Sequence, residues 1–369
     1  MVLGSHTNSL SYCVNEGTED TVDIHEIIKQ RGLSARDISK KYKIPVNTLS
    51  ESYNKQVNDW SVKTFRATAD AVQLSLDGLV SELEKPETLH PFIKWVGGKR
   101  QLLASIHELL PRRFNTYYEP FLGGGAVLLN LQPKHAVVGD FNDELMNTWT
   151  VVRDQTSELL DLLDQYKKNN SKEFYLDLRM ADRDGRIQQF SNLQRAARFI
   201  YMNKTGFNGL WRVNRKGQNN VPYGKYTNPK IADPIIKSVG DYLRNAQVDM
   251  HSGDYRDTLA SVKKDDFVYF DSPYDVVSPT SSFTSYTKED FNNKDQVELR
   301  DSFVQLKNKG VLVMESNADT PSIRKLYGNI DGVYLNVVHA NRAINSVGSK
   351  RGKVNELIIT SYKTAIKHE

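Results

Sequence analysis

The stretch Glu119–Leu131, EPFLGGGAVLLNL, runs from an acid and a proline through three consecutive glycines into an apolar helical run. A strand that empties into glycines and then into a helix lets the backbone approach a ligand closely at the carboxyl edge of a parallel sheet. The turn alone is ambiguous, because dinucleotide folds and plain tight turns both use it. Fifteen residues beyond Gly125, the run HAVVGD places Asp140 at the tip of the next strand, where a carboxylate can hold ribose hydroxyls. The pair points to an adenosine-containing cofactor. No Gly-Lys-Ser/Thr closes the loop, so it is not a phosphate cradle of the Walker type.

Outward from this stretch, strand-like runs recur as VDMHSGDY, DDFVYFDSPY, GVLVMESN, VYLNVVHA and NELIITSY. Strand and helix patterns in alternation predict an α/β fold built on a doubly wound parallel sheet. Residues 152–248 interrupt the rhythm with helical, Arg- and Asn-rich sequence. From Val22 to Leu83 the apolar spacing is helical, with Ile24, Ile27, Ile28, Ile38, Leu49, Phe65 and Val72 among its positions, and predicts four or five short helices. The expected organisation is a disordered tail over 1–21, a helical domain over 22–84 and a linker over 85–90. A catalytic domain over 91–151 and 249–369 follows, with an insert over 152–248.

The 369 residues are 39% hydrophobic and 25% charged, as in a globular protein with ample core. No run of 18 apolar residues and no leader pattern is present, which predicts a cytoplasmic protein without a membrane partner. Cys13 is the only cysteine and the eight histidines are scattered, so disulfides and a metal site are not expected. Residues 1–88 hold 10 Lys/Arg against 13 Asp/Glu, and the remainder holds 39 against 32. Within that basic remainder, residues 203–226 carry five Lys/Arg and no acid, and 341–353 carry four and no acid. Acid-free basic stretches rich in Asn, Gly and aromatics suit a phosphate backbone.

The run Asp271-Ser272-Pro273-Tyr274 ends an apolar strand. In isolation it reads as a proline turn. Beside a glycine turn and Asp140 it has a chemical reading. The amino nitrogen of adenine is a poor nucleophile because its lone pair is delocalised into the ring. Two acceptors that hold its hydrogens favour a pyramidal nitrogen and aim the lone pair at an electrophile. Asp271 supplies one acceptor and the backbone carbonyl of residue 272 the other; Tyr274 offers a face for an extruded base, and Pro273 fixes the backbone between them.

From about Pro91 to Tyr362 the chain resembles the Dam-type DNA adenine-N6 methyltransferases, which use S-adenosylmethionine and modify GATC. The motifs carrying the resemblance are FIKWVGGK, EPFLGGG, GDFNDEL, NKTGFNGLWRVN, NVPYGKY, DSPY and RGKVNELIITSY, in the family's order. The resemblance implies a Rossmann-like methyltransferase sheet with a helical target-recognition insert, beside the small all-α N-terminal domain. It implies cofactor contacts at Trp95, Lys99, Phe121, Gly123, Gly125, Asp140, Asp254, Tyr255 and Asp271. Trp95 also reads as core, Lys99 as surface, Asp254 as a turn cap, and Glu119 as either structural or a partner of the methionine ammonium. In the insert, the resemblance implies a hairpin entering the major groove of double-stranded DNA. Arg212 would read a guanine, or else contact a phosphate. Leu210 and Pro222 would touch bases, Phe207 would wedge against the stack, and Asn208, Asn214 and Lys225 would line the same surface. Lys225 stands where relatives carry arginine, and Ser272 where they carry a second proline. Residues 281–291 resemble a loop closing over the flipped base; Arg342, Lys350 and Arg351 would sit on phosphates.

The segment LSARDISKKYKIPVNTLSESYN resembles a phage-repressor helix-turn-helix, with Ser34 capping the first helix and Pro45 opening the second. Lys43 replaces the usual turn glycine. A small bundle that only docks on a partner is the alternative. Competing functions for the whole chain are a cytosine-N4 methyltransferase and a DNA-binding regulator whose methyltransferase portion has lapsed. A monomer or weak dimer is expected, and a cognate restriction endonuclease is a possible partner.

Overall fold

A computed structural model describes residues 24–54, 59–76, 78–79, 89–274, 293–341 and 353–364. The tail over 1–21, the loop over 281–291 and the cations Arg342, Lys350 and Arg351 lie outside the described residues. The chain divides into two compact units, Met1–Thr88 and Leu89–Glu369.

In the first unit, four helices span α1 (Ile24–Gln30), α2 (Ala35–Tyr42), α3 (Val46–Tyr53) and α4 (Val62–Ala71). Ser34 caps α2 in a capping box: its amide donates to Asp37 Oδ2 at 2.9 Å while its hydroxyl accepts from the Asp37 amide. Pro45 stands at the start of α3. Between the helices Lys43 takes φ 51° and ψ 47°, the left-handed conformation that glycine ordinarily supplies. A side chain there costs about 1 kcal/mol. Burial of Ile38, Ile44, Leu49 and Tyr53 on the two sides of the turn offsets it. The missing glycine therefore did not prevent the turn.

The second unit is built on a seven-stranded sheet in the order β3-β2-β1-β4-β5-β7-β6. In chain order its elements are α5 (Leu103–Leu109), β1 (Tyr117–Glu119), α6 (Ala126–Leu131), β2 (Ala136–Asp140), α7 (Asp143–Asp154), α8 (Thr156–Lys168), α9 (Lys172–Met180), α10 (Asn192–Thr205) and α11 (Ile235–Asn245). They continue as β3 (Asp249–Ser252), α12 (Tyr255–Thr258), β4 (Phe267–Phe270), α13 (Asn293–Asn308), β5 (Leu312–Ala318), α14 (Pro321–Tyr327), β6 (Tyr334–Asn341) and β7 (Lys353–Thr360). The first five strands are parallel; β7 runs antiparallel to both β5 and β6. The all-buried runs of β1 and β4 follow from helices covering both faces. Alternate residues enter opposite cores: Tyr117, Val138, Phe267 and Tyr269 on one face, Tyr118, Val137, Val268 and Phe270 on the other. Strand order reverses between β1 and β4, which brings the glycine turn and DSPY to neighbouring strand ends, where open parallel sheets bind ligands. Helix α7 runs through to Asp154, so the expected insert begins within its last turn.

Candidate active site

At the end of β1 the chain needs glycine twice. Gly123 and Gly125 have φ of 50° and 66°, and a Cβ on either would stand 2.7 Å from an indole carbon, of Trp95 and Trp149 respectively. Asp140 ties this turn to β2: Oδ2 accepts from the Gly123 amide and Oδ1 from the Asn142 amide, both at 3.0 Å. Burial pushes the Asp140 carboxyl up, these amides pull it down, and the charge of Asp271 raises it. Glu119 accepts from the Tyr117 hydroxyl at 2.9 Å and the Leu128 amide at 3.1 Å. It thereby caps α6, whose N-cap Gly125 offers no side chain. Burial raises its pKa to about 8, with Asp271 adding to the rise. In the free protein at neutral pH this carboxyl is mostly protonated, which favours the structural role over a standing ammonium site.

The DSPY turn leaves β4 beside it. Lys99, in a 3₁₀ turn over Lys99–Gln101, places its ammonium on Asp271 Oδ1, donates to the Gly97 carbonyl at 2.8 Å and lies 4.5 Å from the Tyr274 ring centroid. Its side chain is only 7% exposed, so it is not a surface lysine. Burial pushes the Asp271 carboxyl up and Lys99 opposes this; burial wins. The Tyr274 hydroxyl donates to Glu356 Oε2 of β7 at 2.8 Å, and Gln296 of α13 donates to the Pro273 carbonyl at 2.9 Å. Ser272 is 2% exposed, and its hydroxyl has no partner among the described residues.

Trp95 is half-buried and stacks on Phe199 of α10 at 6.1 Å. Phe121 stacks on Tyr255 at 5.4 Å. Asp254 is farther from the buried cluster in character: it caps α12 and both its oxygens are held by Arg256 at 2.8 Å, which keeps its carboxyl below the usual range. The turn-cap reading of Asp254 is therefore the one its contacts satisfy.

Residues 206–224 form an irregular hairpin, bridged at Gly206–Tyr223 and Val213–Asn219. Its backbone is bound from behind. Asp182 accepts from the Asn219 amide at 2.7 Å and from Arg198 at 3.0 Å; Tyr175 and Arg179 each donate to the Val221 carbonyl at 3.0 Å. Trp211 packs on Phe199 with centroids 4.1 Å apart. Outward, Phe207 is 51% exposed, and Asn208, Arg212, Pro222 and Lys225 are exposed with it, joined by Arg215 and Lys216. Arg212 Nε donates to Asn220 Oδ1 at 2.7 Å, which aims the guanidinium. Leu210 is half-buried. Asn214 differs from its neighbours, since its Oδ1 accepts from the amides of Lys216 and Gln218 and closes the hairpin tip.

Several residues that the sequence does not single out hold these parts in place. Asn203, fully buried on α10, accepts from the Lys94 amide at 2.9 Å and donates to the carbonyls of Lys94 at 2.8 Å and Gly209 at 2.9 Å. It joins the KWVGGK segment to the hairpin. It opens the NKTGFNGLWRVN motif, but nothing in that string marks it as the link. Gln296, Glu315, Asn317 and Glu356 were likewise not singled out.

A mixed sheet whose parallel strands carry a glycine turn, a strand-tip carboxylate and DSPY at one edge is the arrangement of a Rossmann-like methyltransferase. Residues 95–344 match the family described as D12 class N6 adenine-specific DNA methyltransferase. The Type II methyltransferase M1.LlaDCHI of Lactococcus lactis subsp. cremoris is 49% identical over 275 residues, 74% of this chain and 96% of that protein. The Type II methyltransferase M.MjaIII of Methanocaldococcus jannaschii is 40% identical over 291 residues, covering 74% and 99%. The DNA adenine methylase of Escherichia coli is 32% identical over 273 residues, covering 72% and 93%. The chain belongs to the D12 class of N6 adenine-specific DNA methyltransferases. It is an enzyme whose substrate is DNA and whose methyl donor is S-adenosylmethionine. The residues fit that donor: a turn without room for a Cβ, and the carboxyl groups of Asp140 and Asp271 beside a single ammonium, suit a cationic sulfonium. No helix among the described residues is long and apolar enough to cross a membrane.

Proposed function

We propose that this enzyme methylates adenine N6 within GATC, on a base extruded from the duplex into the cleft at the β1 and β4 ends. One observation carries the reading. The Lys99 ammonium donates to Asp271 while lying over the Tyr274 ring, so a hydrogen-bond donor already engages the carboxylate and aromatic face that an adenine amino group requires. Asp271 and the Ser272 carbonyl accept the two amino hydrogens, Tyr274 stacks on the base, and Pro273 fixes the turn. Lys99 withdraws as the base enters and turns toward the cofactor. S-adenosylmethionine supplies an electrophilic methyl carbon, whose bond to sulfur breaks as the bond to N6 forms. The proton left on N6 goes to the Asp271 carboxylate or to water. Trp95, Phe121, Gly123, Gly125, Asp140 and Tyr255 would hold the cofactor, with Asp254 at the margin of that group. Arg212 reads guanine with its guanidinium, while Phe207, Asn208, Leu210, Pro222 and Lys225 make the neighbouring contacts. Incubated plasmid should become resistant to a GATC endonuclease blocked by adenine methylation and sensitive to one that requires it. N4-methylcytosine without N6-methyladenine in the nucleosides of that plasmid contradicts the proposal.

We infer also that the N-terminal unit, which lies outside the family match at 95–344, contacts duplex DNA through α3. The Lys43 turn supports this, together with charge. Residues 24–79 hold nine Lys/Arg against six Asp/Glu, and the acidic balance of 1–88 comes from the flanking sequence. Arg36, Lys40 and Lys41 on α2, Lys43 in the turn, and Asn47 and Thr48 on the first turn of α3 are all exposed. Replacing Asn47 and Thr48 by alanine in the full chain should weaken binding to duplexes lacking GATC and leave methyl transfer intact. Unchanged binding would remove this role.

A further inference from the structure

The catalytic turn is gripped by a chain of buried side chains that enters from the far side of β5. Gln296, 4% exposed, donates through Nε2 to the Pro273 carbonyl at 2.9 Å. Its Oε1 accepts from Asn317 Nδ2 at 3.0 Å, and the same Nδ2 donates to Glu315 Oε1 at 2.9 Å. The other Glu315 oxygen accepts from the Tyr327 hydroxyl at 2.5 Å. Asn317 and Glu315 are fully buried, and Asn317 Oδ1 accepts from the Ala318 amide.

This chain has a direction. Asn317 Oδ1 is fixed by the Ala318 backbone amide, so its NH₂ faces both Glu315 and Gln296. Gln296 must then show its oxygen to Asn317 and its NH₂ to Pro273. An inverted amide at either position would set oxygen against oxygen in a buried site, where an unmet polar group costs about 1–3 kcal/mol. The orientation of one backbone carbonyl in the DSPY turn is thus set through Gln296 by an asparagine on β5 whose own amide is locked to the backbone.

Resting on the proposed adenine chemistry, we propose that Gln296, backed by Asn317 and Glu315, is a positioning residue for methyl transfer. It fixes the Pro273 carbonyl, and through the two peptides that flank Pro273 it fixes the Ser272 carbonyl on one side and the Tyr274 ring on the other. Pro273 restrains only its own φ, and Ser272 carries no ring, so the turn lacks an internal restraint at residue 272. Tyr274 is tied at its far end by Glu356. Gln296 supplies the restraint between these two points.

The test is single-turnover methyl transfer by the full-length enzyme on a GATC duplex, with cofactor and duplex affinities and thermal melting measured on the same samples. Gln296→Met keeps the side-chain length and removes both amide functions. It should slow transfer about tenfold or more, the scale of effect expected from misplacing a reacting group, with both affinities within about twofold. Asn317→Leu should slow transfer similarly. In the Gln296→Met background it should add no further loss, because its effect passes through Gln296. Gln296→Leu serves if Gln296→Met does not fold; it too has no donor for Pro273, and the same loss is expected. A wild-type transfer rate in folded Gln296 variants overturns the proposal. So does a rate that falls only in step with affinity and melting, or additive losses in the double variant. Failure of the underlying reading looks different, since Asp271→Ala would then retain transfer.

Discussion

The carboxyl edge of the sheet and the 206–224 hairpin both concentrate charge, and they hold it in opposite ways. At the edge, the carboxyl groups are buried or half-buried and bonded to the protein itself: Asp140 to two amides, Glu119 to Tyr117 and α6, Asp271 to Lys99. In the hairpin it is the backbone that is bonded from behind, while Arg212, Arg215 and Lys216 stand exposed, as does Lys225 just beyond it. The edge is arranged for a small ligand in a desolvated place, where fixed dipoles and charges act strongly. Solvated cations of this kind suit a large polyanion, the role proposed for the hairpin.

Substitutions at the edge should therefore change rate, and substitutions in the hairpin should change recognition. The largest effect belongs to Asp271. Asp271→Ala should lower methyl transfer by about a thousandfold or more, since in the proposed chemistry it deletes an acceptor for the reacting amino group, while cofactor binding stays measurable. Tritiated-methyl incorporation together with a cofactor titration reads both. Transfer within tenfold of wild type would place the chemistry elsewhere.

Asn203 is where the two regions meet, and it tests whether they are separable. Asn203→Leu leaves the Lys94 amide and the carbonyls of Lys94 and Gly209 without their partner. A stability loss of about 2–3 kcal/mol is expected. Denaturant melts measure it, and amide exchange at Lys94 should quicken. An unchanged midpoint would mean that KWVGGK and the hairpin are held by packing alone.

Arg212→Ala belongs wholly to the hairpin. It should cost about 1–3 kcal/mol of discrimination, seen as a smaller gap in kcat/KM between GATC duplexes and duplexes with one altered base pair. Equal loss on both would reduce Arg212 to a phosphate contact.

The edge also carries a pH signature that the hairpin lacks. Glu119 is raised from 4.5 to about 8 and Glu315 from 4.5 to about 7, in both cases chiefly by burial. Each group holds a proton in the folded protein that the unfolded chain releases. Their contribution to stability is complete below pH 4.5 and is lost as pH rises, through about 7 for Glu315 and about 8 for Glu119. Melting temperature should fall across this range. Glu119→Gln, which keeps an acceptor for Tyr117 and Leu128, should flatten the last part between pH 7 and 8. A slope identical to wild type would assign the fall to other groups.

What could be read from the sequence follows the same division. The glycine turn, Asp140 and DSPY are short local strings at strand ends, where residue type and backbone need coincide. The exposed hairpin residues belong to one acid-free run. Lys43 was misleading in isolation because tertiary burial of Ile38, Ile44 and Leu49 overrides the local preference for glycine. Asn203, Gln296 and Asn317 were not legible, because their partners lie far away in the chain: Asn203 meets Lys94 across 109 positions, and Gln296 meets Pro273 across 23. An amide in a helix or strand has no distinctive pattern until those partners are in place. Asn214 was legible as part of the hairpin, yet its bonds assign it to closing the tip.

Ser272 should give the smallest effect and the finest division between backbone and side chain at the edge. The proposed chemistry uses its carbonyl, which proline retains. Its hydroxyl is buried with no partner among the described residues, so removing it relieves a desolvation cost. Proline also narrows the unfolded chain, which stabilises by about 0.4–1 kcal/mol where the backbone is compatible. Ser272→Pro should therefore raise the denaturant midpoint slightly and leave the single-turnover rate near that of wild type. A large loss of rate in a stable variant would show that the orphaned hydroxyl meets the substrate or the cofactor during turnover. The edge would then hold, like the hairpin, a polar group kept free for its ligand.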